Sequence, residues 1–126
     1  FGVTHPTFGG LGRPPLGDPD RIREYEPAWR WRTDIGRFPF SIPIDTRTMA
    51  CEQGADSYLY SRYAGSSLGP PFMAGLYALA AQVDPSITRE RFLEMAVRLA
   101  RRDVRPDMPI LDPTAIMAEL RAPTSH

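Results

Sequence analysis

A serine stands on a glycine-flanked turn in the stretch Gly65-Ser66-Ser67-Leu68-Gly69-Pro70-Pro71-Phe72-Met73-Ala74-Gly75-Leu76. The residue types suit a nucleophile. A reactive Oγ must stand clear of the backbone, and a helix opening just beyond it supplies unpaired N–H groups and a partial positive charge. The chemistry such a serine performs is acyl transfer. Its hydroxyl attacks a carbonyl carbon while a base, usually histidine, takes the proton and is itself oriented by a carboxylate.

The stretch resembles the nucleophile segment of subtilisin-like serine proteases, Gly-Thr-Ser-x-Ala-x-Pro-x-x-Ala-Gly. Gly65, Ser67, Pro71, Ala74 and Gly75 fall on that pattern in register. Ser66 stands for the usual Thr, Gly69 for Ala, and Pro70 for Thr or Ile, so two helix-disfavouring residues follow the serine closely. The same family places a buried helix after its nucleophile, then an amphipathic helix opening at a turn like Pro85-Ser86-Ile87-Thr88. It often closes with a segment like Leu111-Asp112-Pro113-Thr114-Ala115-Ile116. Upstream, Asp45-Thr46-Arg47-Thr48 and the Gly-Gly-Leu-Gly-Arg run at 9–13 are similar to bacterial members. The resemblance spans 38–121 and is densest over 64–80.

What it implies is the C-terminal third of a three-layer α/β fold with a mainly parallel sheet, here a few strands followed by two or three helices. Ser67 would be the acyl-forming nucleophile, and its own N–H would contribute to the oxyanion hole. Segment 58–65 would border the cleft for a peptide or protein substrate. The base, the acid and the second oxyanion donor would come from the remainder of a parent catalytic domain. A subtilisin-like fold without catalytic power, used as a binding or regulatory module, is an alternative.

A rival motif lies in the same residues. Gly65-x-Ser67-x-Gly69 matches the nucleophile elbow of α/β-hydrolases, in which acid and histidine follow the serine. Asp103, Asp107 or Asp112 with His126 would respect that order. An elbow needs a central apolar strand before it, whereas Tyr58–Tyr63 carries Ser61 and Arg62.

The partners that a protease serine needs are scarce. His5, in Thr-His-Pro-Thr, is the only histidine before Ser67 and lacks the His-Gly-Thr context of the family's base. No Asp-[ST]-Gly precedes it, and the chain has no Asn to fill an oxyanion hole. Losing one such donor costs roughly 3 kcal/mol of transition-state stabilisation. The chain alone is therefore expected not to hydrolyse peptides.

The elements that would position the serine are legible in outline. Residues 1–37 are punctuated by Gly and Pro and read as loop-rich, with Trp29 and Trp31 packing in a core or lid. Segment 38–65 reads as strands leading to the nucleophile. Phe38, Phe40, Ile42 and Ile44 alternate on one face, and Pro39 and Pro43 on the other point to an edge or bulged strand. Asp45–Asp56 reads as polar turn, and Tyr58–Tyr63 as a second strand.

Segment 66–121 reads as helical. A helix apolar on nearly every side starts near Gly69, with Pro71 in its first turn and Ser67 just outside it. Ala74, Gly75, Ala78 and Ala81 form a small-residue face suited to close packing. Thr88 caps a helix of about 13 residues, with Arg98, Arg101 and Arg102 as a solvated face near its end. Asp112-Pro113 opens a last helix through Ile116, Met117 and Leu120.

Composition sets the limits. One domain fits within 126 residues. Fifteen basic and fifteen acidic residues cancel, so no nucleic acid or anionic membrane is expected as a partner. No apolar run is long enough for a membrane span. The lone Cys51 allows no internal disulfide and no thiolate metal site, and no cofactor or metal is expected. The chain begins at Phe1 without a signal-peptide pattern, as a piece of a longer protein would, and no compartment follows from it.

Overall fold

The computed structural model describes residues 9–12, 21–24, 26–27, 39–44, 47–61, 66–104 and 106–122. His5, Trp29, Trp31, Phe38, Gly65 and His126 lie outside them. The described residues form a mixed α/β arrangement of small sheets beside three helices.

Strand β1 (Gly9–Gly12) lies between β2 (Glu26–Pro27), which is antiparallel to it, and β3 (Ser41–Pro43), which is parallel. Gly9-Gly10-Leu11-Gly12 falls in the segment expected to be loop-rich, yet it is the central strand. Leu11 anchors it, fully buried against Met108 and Ile110. The flanking glycines bring no side chain that would need a place on either face.

Phe40, Ile42 and Ile44 are all buried as expected, but Ser41 between them is buried too, so burial does not alternate along β3. This strand lies at the edge of its sheet, where prolines are tolerated. Its outer side is met at one point by the chain before the last helix. Ser41 N–H donates to the Pro109 carbonyl at 2.7 Å, and Leu111 N–H donates to the Ser41 carbonyl at 2.9 Å.

Two expectations about strands need correction. Asp45–Asp56 does not form one polar turn, because Arg47–Ala50 is a strand, β4. It pairs antiparallel with β5 (Tyr58–Ser61) in a separate hairpin. Among the described residues of this segment the turn spans 51–57, where Gly54 takes a φ of 154° and its carbonyl accepts from Ser57 N–H at 3.2 Å. The mainly parallel sheet also differs from the described strands. Of their three pairings only β1–β3 is parallel.

Helix α1 (Gly69–Val83) starts where the prolines require it, with Pro70 and Pro71 in the first turn. It is not surrounded by core. Its buried stripe is Gly69, Met73, Leu76 and Ala80, a single face, and α2 and α3 both pack against the helix. Ala74, Gly75 and Ala78 are exposed and Ala81 is half-buried, so the small-residue face meets solvent instead of a partner. Leu79, 51% exposed, extends that apolar surface.

Helix α2 (Arg89–Arg98) and helix α3 (Pro113–Arg121) open at the expected caps. Thr88 Oγ1 accepts from Arg91 N–H at 3.2 Å, and an Asp112 carboxylate oxygen accepts from Ala115 N–H at 2.9 Å. Such caps contribute about 1 kcal/mol each.

With 10 residues, α2 is shorter than the 13 its periodicity suggested. Two features stop it. The Arg102 guanidinium reaches back to the Val97 and Ala100 carbonyls, and the Arg101 backbone exchanges hydrogen bonds with Ile110. Arg101 and Arg102 therefore lie beyond the helix, while Arg98 pairs with Glu119 of α3. The three are exposed as expected, but each is engaged.

The main core brings β3 and the helices together. Phe40, Met73, Phe92 and Ile116 are almost fully buried in it. Burying each such side chain contributes roughly 1.5–3 kcal/mol.

Candidate functional site

Ser67 occupies the middle of a 3₁₀ turn, Ser66–Leu68, that runs straight into α1. Ser67 is exposed, Leu68 half-buried and Gly69 buried. The turn is thus held by its C-terminal end, and the serine side stands in solvent. Among the described residues no hydrogen bond engages the Ser67 hydroxyl, and none contributes a histidine.

The N-terminus of α1 behind the serine is unusual. Its N-cap residue, Leu68, has helical angles (φ −82°, ψ −18°) and makes no side-chain cap. An ordinary helix leaves its first four N–H groups without intrahelical partners. Here Pro70 and Pro71 have no N–H to offer, and Leu68 and Gly69 donate within the 3₁₀ turn that leads into α1, so the donor left at this end is Ser67's own N–H. A negatively charged oxygen near Ser67 would meet that N–H and the positive end of the helix dipole.

What fixes α1, and with it the turn, is its packing further along. The Tyr77 hydroxyl donates to the Ile87 carbonyl at 3.0 Å, and its ring meets Phe92 edge-on with centroids 5.3 Å apart. Met73 and Leu76 bury the same side of the helix. The loop after α1 is stabilised at Asp84. Its carboxylate accepts from the Ser86 hydroxyl at 2.6 Å, from Ser86 N–H at 3.0 Å and from Arg91 at 2.9 Å. The Ser86 hydroxyl and N–H, followed by Arg91, hold the Asp84 carboxyl below its usual range.

The other shifted carboxylates belong to exposed ion pairs. Arg98 lowers Glu119, and Arg101 lowers Asp103. In the elbow reading Asp103 would serve as a triad acid, but it is committed to Arg101 through two contacts of 3.4 and 3.3 Å. Asp112 is occupied as the cap of α3. The strand before the turn also departs from an elbow. β5 lies in a two-stranded hairpin with Tyr58 and Tyr60 exposed, not at the apolar centre of a sheet.

Among the described residues no three His, Cys, Asp or Glu side chains are grouped to hold a metal ion. No helix among them is long and apolar enough to cross a membrane. A shallow groove between α1 and α3 is lined mostly by apolar side chains, Leu76, Leu79, Pro113 and Met117, with Thr114 and Arg121 as its polar members, and Ser67 is not part of it. The residue that sequence reasoning picked out, Ser67, is therefore accessible at a helix start, while its candidate partners His5 and His126 lie outside the described residues. The β4 strand, which joins β5 in delivering the chain to the turn, gave no clear signal because its four residues are flanked by polar ones.

No family model matches the chain, and neither a curated protein nor a solved structure does.

Proposed function

We propose that Ser67 is the acyl-forming nucleophile of a subtilisin-like serine endopeptidase, and that this chain is the C-terminal part of its catalytic domain. The observation that supports this most is the exposed Ser67 on a turn continuous with a proline-started helix whose N-terminus has no side-chain cap. The order of elements agrees with the resemblance. After the serine come α1, α2 and α3, with Thr88 and Asp112 as the caps of the second and third.

In the proposed reaction the Ser67 Oγ attacks the carbonyl carbon of a substrate peptide bond. A histidine of the parent domain takes the hydroxyl proton and passes it to the leaving amine as the C–N bond breaks. Water, deprotonated by the same histidine, then attacks the acyl-serine ester and frees Ser67. The Ser67 N–H, with the dipole of α1 behind it, would stabilise the oxyanion in both steps. The triad acid and the second oxyanion donor would also come from the parent domain. The exposed apolar face of α1 (Ala74, Gly75, Ala78 and Leu79) is where that remainder would pack.

A fluorophosphonate probe, which reacts with activated serines, tests the proposal on the intact parent protein. The expected result is labelling that maps to Ser67 and disappears in Ser67→Ala, with no labelling of the isolated chain.

A further inference from the structure

The hairpin is weakly anchored to the rest of the described structure. None of its residues from Thr48 to Tyr60 is buried, yet β5 carries three large apolar side chains in a row: Tyr58, Leu59 and Tyr60, 69%, 55% and 51% exposed. A two-stranded hairpin is marginal in water unless a third strand or a packed face supports it. Among the described residues β5 has a strand on one side only.

The hydrogen-bonding phase of the free edge can be read from the ladder. Cys51 N–H donates to the Ser57 carbonyl directly opposite it at 3.2 Å. Antiparallel pairs alternate, so Met49–Leu59 is a hydrogen-bonded pair, while Ala50–Tyr58 and Thr48–Tyr60 are not. The N–H and C=O groups of Tyr58 and Tyr60 therefore point away from β4, along the outer edge of β5.

We propose that this edge pairs antiparallel with β5 of a second copy of the chain, about a two-fold axis at Leu59. The register is self-complementary. Tyr58 of each copy meets Tyr60 of the other, all the outward N–H and C=O groups of these residues find partners, and Leu59 meets Leu59 on the opposite face. The usual guards of an edge strand are missing, since Ser57–Ser61 contains no charged residue and no proline. With fifteen residues of each sign the chain carries no net charge to hold two copies apart. A four-residue edge covers far less than the roughly 1,600 Å² of a standard stable interface. The dimer is accordingly weak and concentration-dependent. This inference does not rest on the role of Ser67.

Sedimentation velocity on the 126-residue chain, from micromolar to millimolar concentration, tests it. The expected result is a monomer–dimer equilibrium. Tyr60→Pro removes an outward N–H and leaves the hairpin's own ladder in place, so it should raise the dissociation constant about tenfold or more. Thr48→Pro, the matching change on the outer edge of β4, should leave dimerisation intact. Amide exchange gives a second readout that needs no variant. Tyr58 and Tyr60 amides should become protected as concentration rises, whereas Leu59 should be insensitive to it. A monomer at every concentration, or a dimer weakened by Thr48→Pro and not by Tyr60→Pro, would overturn the proposal. So would a monomer whose Tyr58 and Tyr60 amides become protected on adding a synthetic alternating Val-Thr peptide, which would assign the edge to a foreign strand.

Discussion

The hydroxyl of Tyr77 donates to the main-chain carbonyl of Ile87 at 3.0 Å, tying the middle of α1 to the last loop residue before the cap of α2. Tyr77 also lies edge-on to Phe92. One side chain thus connects the helix that carries the proposed nucleophile to the helix after it. Both contacts are side-chain interactions between residues 10 or more positions apart, and the 15-residue α1 depends on such packing for its orientation.

Removing the hydroxyl alone should be measurable. Tyr77→Phe keeps the ring against Phe92 and leaves the Ile87 carbonyl without this donor, costing about 1 kcal/mol. Urea denaturation followed by circular dichroism checks it, with a lower midpoint and an unchanged slope as the expected outcome.

Gly75 is in the interior of α1, and a Cβ built on it meets nothing within 4 Å. Gly75→Ala should therefore stabilise the isolated chain by roughly 0.5–1 kcal/mol through helix propensity. Gly75→Leu should also leave the isolated chain folded. In the proposed parent enzyme, where this face would be covered, the same leucine should lower both stability and fluorophosphonate labelling. Parallel thermal melts of the two proteins distinguish the cases.

These two residues also show how far the sequence could be read. The start of α1 was legible because Pro71 is tolerated only in a first turn, and the caps of α2 and α3 because Thr88 and Asp112 precede helical spacing. The environment of α1 was not. A run such as Met73-Ala74-Gly75-Leu76 is apolar whether or not something covers it, and only the fold shows Ala74 and Gly75 facing solvent. β1 was missed for a related reason. Gly9-Gly10-Leu11-Gly12 has no strand propensity, and the strand exists because Leu11 is buried and main-chain partners lie on both sides. For Ser67, sequence indicated the turn and the helix behind it. Its exposure and the uncapped state of the helix start came from the structure.

Acid should weaken the surface linkages in a definite direction. Asp84, Asp103 and Glu119 are all held below their ordinary values of 3.8, 3.8 and 4.5, by Ser86, Arg101 and Arg98 in turn. A carboxyl lowered by folding adds stability that is fully present above its unfolded value and lost as pH falls through its folded one. Stability should thus be level above the carboxylate range and decline below it. Because these groups are exposed, the decline should be shallow and reduced further by salt. Ser86→Ala should move the Asp84 carboxyl back toward its ordinary value, which an NMR titration of its side-chain carbon reads directly.

Removing a cap isolates one helix. Asp112→Ala leaves the Ala115 N–H without its acceptor at the start of α3 and should cost about 1 kcal/mol. Asp112→Asn keeps an acceptor oxygen and should recover most of that loss. Thermal unfolding of both variants, measured beside the unaltered chain, checks the order.

The central claim, that Ser67 is an activated nucleophile once its parent domain is complete, meets its most direct test in fluorophosphonate labelling of that parent followed by peptide mapping. The predicted result is a single adduct on Ser67 that vanishes in Ser67→Ala, with the isolated chain unlabelled. No adduct on the intact parent, or one that survives Ser67→Ala, would contradict it.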